Sequence, residues 1–304
     1  MREPALLVFN GAAGDGLAAQ RYARLSRALH DRFDLSIVGG TDWVARMRGA
    51  LRDSPPRLVI AGGGDGTVSA VASELMELGA ARFVLGAVGL GSSNDFHKGR
   101  SGQLAGLPVR IDTATAAKTD VVVADCDTPT GRERRHFIVS ASCGATADAN
   151  ARFNAASGTL ALWKRRAPNA AVLHAAARSV GGHRPLSVEL RLDDDACECW
   201  SVSNLSLLKT PWLGGGLRYD TPIEPASGRM AVNMCHDMTR LELASLLWNL
   251  RTGHFLGRPK TWHRMARRVE LATSVPSLLE LDGELIEVTR ALFKVREGGL
   301  LTCS

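Results

Sequence analysis

Residues 58–69 read LVIAGGGDGTVS. Leu58 to Ala61 form an apolar run rich in Val and Ile, the mark of a buried strand; three glycines, Asp65, Gly66 and Thr67 interrupt it, and an apolar-periodic helix follows from Val68. Gly62, Gly63, Gly64 and Gly66 lack Cβ and tolerate positive φ. A phosphate oxygen can therefore approach the backbone amides where the next helix presents its positive end. Asp65 and Thr67 add a carboxylate and a hydroxyl beside such a phosphate. A tight strand-to-helix turn would have a similar sequence, so the stretch alone leaves both readings open.

The preceding segments follow the same plan. Ala5 to Phe9 reads as a buried strand, residues 10–14 (NGAAG) as a small-residue turn, and a helix follows with Leu17, Tyr22, Leu25, Ala28 and Leu29 on its apolar face. Leu35 to Val38 is a further strand, and Thr41 or Asp42 is placed to cap a helix carrying Trp43, Val44, Met47 and Leu51. This β-α-β-α-β alternation predicts a parallel sheet covered by helices, whose ligands gather at the carboxyl ends of the strands. Asn10, Thr41 and the 62–67 stretch all fall there. After the helix from Val68 to Leu78, the strand Phe83 to Val88 delivers GLGSSNDF at 89–96, where Ser92, Ser93, Asn94 and Asp95 bring hydroxyl, amide and carboxylate groups to the same edge.

Around Asp120 the pattern changes. Val121 to Ala124, Phe137 to Ala141, Leu186 to Leu192, Cys197 to Leu208 and Met230 to Met234 read as strands joined by polar or glycine-rich turns. Alanine-rich residues 149–180, broken at Pro168, read as one or two helices, and Leu241 to Leu250 as another. The predicted division is an α/β domain over 1–118 and a β-rich domain over 119–304, with the last strands returning toward the first domain.

Composition narrows the function classes. The chain has 304 residues, 45% hydrophobic, enough for a sizeable core. A net charge of +6 suits anionic partners such as nucleotides or acidic membrane surfaces, and aromatic content of 5% without a basic recognition motif disfavours nucleic acid. None of the six cysteines has zinc-knuckle spacing, so reduced structural thiols are expected; the eight histidines show no metal-ligand pattern. The apolar run near the N-terminus is too short for a signal peptide and no run reaches 18 apolar residues, so a cytoplasmic location is expected. Trp248 to Arg268 mixes arginines, histidines and Lys260 with Phe255 and Trp262; it reads as a solvated face or as a contact for anionic headgroups. Trp163 to Arg166 (WKRR) is a second basic stretch of this kind.

GGGDGT at 62–67, LGSSNDF at 90–96 and LDGEL at 281–285, in that order, resemble the diacylglycerol kinase catalytic-domain family, which also holds sphingosine and ceramide kinases and bacterial lipid kinases. FIVSASCGATADA at 137–149 and ALFKV at 291–295 extend the resemblance over nearly the whole chain. It implies an α/β N-terminal nucleotide-binding domain, with a parallel, Rossmann-like sheet of the NAD kinase and diacylglycerol kinase type. A β-rich sandwich C-terminal domain follows, with a cleft between the two where ATP meets a lipid hydroxyl. Asn10, Gly11, Gly14 and Thr41 match nucleotide contacts; Gly63, Gly64, Asp65, Gly66, Thr67 and Ser69 match the phosphate loop. Ser92 takes the place of a nucleotide-contacting threonine, and Asn94 in the same loop and Asp282 beside Glu284 are likewise expected to contact the nucleotide. Glu284 matches the proton acceptor of bacterial members, whereas sphingosine kinases favour the aspartate equivalent to Asp65, so both are carried as catalytic. Asp148 is placed as in sphingosine kinases and is a candidate on the acceptor side. ATP, Mg²⁺, a lipid acceptor, a peripheral membrane contact and a homodimer are the cofactors and partners expected.

One departure bears on the chemistry. Bacterial members carry an Asp-Gly whose aspartate helps hold a structural Mg²⁺; here Ser227 precedes Gly228, and a hydroxyl is a poor Mg²⁺ ligand, so that metal site is not carried over. Asp282-Gly283 between apolar strands is also a type I′ hairpin signal, which is compatible with aiming Glu284 at a ligand. A kinase of a soluble hydroxyl, of the NAD kinase type, and a nucleotide-binding protein without transfer remain as alternatives.

Overall fold

A computed structural model describes residues 2–14, 16–53, 55–154 and 180–304, which fall into two compact units, 1–119 with 298–304 and 120–297. The predicted helices of 149–180 lie outside the described residues beyond 154, as does the basic stretch 163–166.

The first unit is built as β1 (Glu3–Phe9), α1 (Ala18–Arg32), β2 (Phe33–Gly39), α2 (Trp43–Asp53), β3 (Leu58–Gly63), α3 (Asp65–Glu77) and β4 (Val84–Gly89). These strands pair in parallel in the order β2-β1-β3-β4, and Leu301 and Thr302 add a parallel rung beside Val84 and Leu85. Every residue of β3 and β4 is buried, as expected of a parallel sheet covered on both faces. Leu25 and Leu29 of α1 pack on one face with Leu7, Leu58 and Ile60, while α3 buries Val68, Val71, Ala72 and Leu75. A short hairpin, β5 (Gly102–Leu104) and β6 (Leu107–Arg110), lies antiparallel along β4; its turn, Ala105 and Gly106, has positive φ at both residues.

The chain enters the second unit along β7 (Ala117–Thr128). There follow β8 (Gly131–Phe137), β9 (Ser140–Gly144), α4 (Ala145–Asn154), β10 (Leu186–Leu192), β11 (Glu198–Leu208), β12 (Trp212–Leu213), β13 (Leu217–Arg218), β14 (Met230–His236), α5 (Arg240–Leu250), β15 (Thr261–Ala266), β16 (Arg268–Leu281) and β17 (Glu284–Thr302). The antiparallel order is β15-β14-β11, then β10 and β9 sharing one lane, then β16 and β17. The lane passes from β10 to β9 where β11 shifts register between Val202 and Asn204 and β16 between Ala272 and Ser277, so both neighbours bend at the hand-over. Apolar residues of β7 to β11, β14, β16 and β17 meet in one core around Phe137, Leu205, Leu271 and Phe293, as in a sandwich. A second core lies under α5, whose Leu243, Leu246 and Leu250 pack with Tyr219 and Phe255. Thr239 and Glu242 form a capping box at the start of α5.

The fold class inferred from the sequence is the one observed, with local differences. β3 runs on through Gly63 and α3 starts at Asp65, so Asp65, Gly66 and Thr67 are the helix's first turn. Phe137 to Ala141 is two strands, because the amides of Ile138 and Val139 leave the ladder to bind the Asp282 carboxylate.

Candidate active site

In the first unit the carboxyl ends of β1, β3 and β4 are laced together. The Gly63 carbonyl accepts from the amides of Leu90 (2.8 Å) and Gly91 (3.2 Å). A Cβ at Gly91 would run into the Gly64 backbone, and one at Gly63 into the Thr67 side chain, so glycine is required where these loops touch. Asn10 receives the same strand end from the other side: its amide donates to the Gly62 carbonyl at 2.9 Å and its Nδ2 to Thr67 Oγ1 at 2.9 Å. Gly14 has φ +60°, and a Cβ there would lie 2.6 Å from the Leu90 carbonyl oxygen. Gly64 is the N-cap of α3 and no side chain caps it, which leaves the helix's positive end for an anion, with Asp65 in its first turn.

Asp65 joins the two glycine loops. Its Oδ2 accepts the Asp95 amide at 3.0 Å and its Oδ1 the Phe96 amide at 2.9 Å. Asn94, left-handed at φ 50°, clamps the loop on itself, accepting from the Gly91 amide (3.1 Å) and donating to the Gly91 carbonyl (3.0 Å). Ser92 and Thr41 are exposed at the strand ends, Gly11 and Gly66 are half-buried, and Ser69 is buried in the second turn of α3.

Two arginines that sequence reasoning missed hold this loop. Arg21 Nη1 donates to the carbonyls of Leu90 (2.7 Å) and Gly91 (2.6 Å). Arg110 is buried, stacks 4.1 Å from the Phe96 ring centroid and donates to the carbonyls of Phe96 (3.0 Å) and Cys303 (2.7 Å). Burial lowers its pKa to about 10. The available signal is an arginine inside the apolar run 107–111. Next to it, both ring nitrogens of buried His97 lack a hydrogen bond, the Ala87 carbonyl lying nearby but outside bonding geometry; burial drives its pKa down to about 4.

The second unit presents the DGE turn. Asp282 (φ 47°) and Gly283 (φ 94°) form the left-handed pair of a type I′ turn between β16 and β17. Asp282 is 2% exposed, and its carboxylate accepts the amides of Ile138 (2.8 Å), Val139 (3.0 Å) and Ser140 (2.8 Å). Asp282, expected to contact the nucleotide, is thus buried in the second unit, where its carboxylate fastens the 138–140 backbone to the turn. Glu280 was also missed. It is buried, accepts the Ser142 hydroxyl at 2.8 Å and the Gly283 amide at 2.5 Å, and so braces the turn from beneath. Glu284, the first residue of β17, is exposed. Asn150 of α4 donates to the Gly283 carbonyl at 3.1 Å, which ties the helix carrying Asp148 to the Glu284 turn. Burial raises the Asp148 pKa, against the opposing influence of Arg152 and His183.

Among the described residues no group of three or more His, Cys, Asp and Glu is arranged to hold a metal ion. All six cysteines are free, and burial pushes the thiols of Cys126 up to about 11 and of Cys143, Cys235 and Cys303 up to about 12, as in unreactive structural thiols.

Two family models match the chain in succession: the diacylglycerol kinase catalytic domain over residues 4–124, and the YegS C-terminal NAD kinase beta sandwich-like domain over residues 139–302. A provisionally named diacylglycerol kinase from Bacillus anthracis is similar in structure at a TM-score of 0.74 and 18% identity, over 99% of this chain and 97% of that one. A diacylglycerol kinase structure from the same organism gives a TM-score of 0.66 at 16% identity, over 99% and 96%. At such identities the likeness is one of fold. No curated protein matches the sequence significantly.

Proposed function

The chain belongs to the diacylglycerol kinase catalytic-domain family, and from that membership we propose that it is an ATP- and Mg²⁺-dependent kinase of a hydroxyl on a diacylglycerol-like or sphingoid lipid. The observation that carries the nucleotide half is the bidentate bond from Asp65 to the amides of residues 95 and 96. It fixes the 62–67 and 89–96 stretches relative to each other before any ligand arrives, the preorganisation that phosphoryl transfer relies on.

Bound ATP with Mg²⁺ would supply the phosphoryl group and offset its charge. The glycine cradle and the first turn of α3 bind the phosphates, and Thr67 is oriented for them by Asn10. Glu284 takes the proton of the attacking hydroxyl. It is exposed, whereas each oxygen of Asp65 already accepts an amide, so Asp65 is a positioning residue here. Asp148, half-buried on α4, is placed to meet a polar group of the acceptor.

A lipid acceptor requires access to a bilayer. Support comes from α5 and its exit, where Leu241 is 84% exposed, Trp248 64% and Leu256 46%, and Arg251 lies 5.3 Å from the Trp248 ring. Phe255 is buried, and Lys260, Arg264 and Arg268 pair with Glu242, Asp195 and Glu270, so the interfacial reading moves from 248–268 to 240–258. No described helix is long and apolar enough to cross a membrane, and the proposal is a peripheral contact from the cytoplasmic side.

Calorimetry with MgATP tests the nucleotide half. Wild type binds, and Asp65→Asn binds at least tenfold more weakly, because one oxygen is replaced by an NH₂ that faces an amide donor. Equal affinities would contradict the assignment.

A further inference from the structure

The structural Mg²⁺ that the resemblance implies near residues 225–228 does not fit this chain, because a side chain already fills the oxygen cage there. Lys209, just past the end of β11, is 1% exposed, and its partner Asp120 is wholly buried. The Lys209 Nζ donates to Asp120 Oδ2 at 2.8 Å, to the Glu224 carbonyl at 3.2 Å and to the Arg229 carbonyl at 2.6 Å. One carboxylate and two carbonyls around a point is the donor set of a hard cation, and an ammonium with three protons satisfies it without a metal. The loop closes around the same node: the Gly228 amide donates to Asp120 Oδ2 at 2.8 Å, the Asp120 amide to the Pro225 carbonyl at 3.1 Å, and Ser227 Oγ to the carbonyls of Glu224 (3.0 Å) and Arg229 (3.3 Å).

We propose that Lys209 is a built-in cation, which takes the place of a divalent ion in bracing the 224–229 loop against Asp120. The second unit's frame then needs no metal, and any Mg²⁺ requirement belongs to the nucleotide alone. Two side chains change together in this account. A hydroxyl at 227 withdraws one negative ligand, and Lys209 brings a positive charge to the ligand that stays, so the cage remains neutral with a single carboxylate. Burial lowers the Lys209 pKa while Asp120 raises it, as for an ammonium kept charged by its partner. The inference concerns the frame and stands whatever the acceptor is.

Thermal unfolding of the full chain without nucleotide, after EDTA and again with millimolar MgCl₂, tests it together with metal analysis of the purified protein. Expected are a Tm unchanged by either treatment and far less than one equivalent of bound metal. Lys209→Met should lower Tm by roughly 6–20 °C, since it strands a buried carboxylate. Lys209→Ala with Ser227→Asp restores a carboxylate cage, and its Tm should rise by several degrees with Mg²⁺ and fall with EDTA. A wild-type Tm that drops in EDTA and recovers with Mg²⁺, a stoichiometric bound ion, a Lys209→Met variant as stable as wild type, or a folded double variant indifferent to Mg²⁺ would each overturn the proposal.

Discussion

Glu284 stands exposed at the first position of β17, while Asp65 holds two backbone amides and Asp282 three. Removing the charge of Glu284 disturbs no bond within the described residues, so Glu284→Gln should lower kcat by about 10²- to 10⁴-fold with Tm and MgATP affinity unchanged. Steady-state kinetics beside thermal unfolding check this. His97 gives a second test. Its folded pKa, about 4, lies below the ordinary 6.5, so the unfolded chain takes up the proton first as pH falls. Stability from this group is complete above pH 6.5 and is lost as pH drops toward 4, by about 3 kcal/mol in all. Tm followed from pH 7.5 to 4.5 should decline less steeply in His97→Leu than in wild type; parallel profiles would show that His97 is not the source.

Among the elements, the β3–α3 and β4 connections depend on glycines that allow backbone to touch backbone. Gly91→Ala places a methyl group against Gly64, whose backbone cannot yield unless the loops part. Overpacking of this kind costs roughly 1–3 kcal/mol, and here it falls on the loops proposed to bind the nucleotide. The expected result is MgATP affinity reduced about tenfold or more in calorimetry, with the second unit's unfolding unaltered. The strand-glycine-helix alternation was legible because local sequence sets it. The Asp282-Gly283 hairpin was legible for the same reason. The task of Asp282 was not, since its partners are the amides of residues 138–140, far away in the chain. Arg21 and Arg110 were missed likewise: they act on carbonyls of residues 90, 91, 96 and 303, which no local pattern announces. The hairpin over 102–110 escaped because its left-handed turn is Ala105-Gly106, without the usual Asn or Asp.

For the whole molecule, the two matched models cover most of the chain, and the sandwich unit carries Asp148 and Glu284, the residues proposed to act on the acceptor. The exposed face of α5 predicts binding to vesicles containing anionic lipid in sedimentation, weakened several-fold by Trp248→Ser with Arg251→Ser, and equal partitioning of the two proteins would remove that face from the account. The most direct measurement is transfer of label from γ-phosphate-labelled ATP in the presence of Mg²⁺ and mixed micelles carrying diacylglycerol or a sphingoid base, followed by organic extraction. The account predicts label in the organic phase with wild type and a loss of roughly 10² or more with Glu284→Gln; label that stays in an aqueous product, or none transferred to any acceptor while ATP still binds, would contradict it.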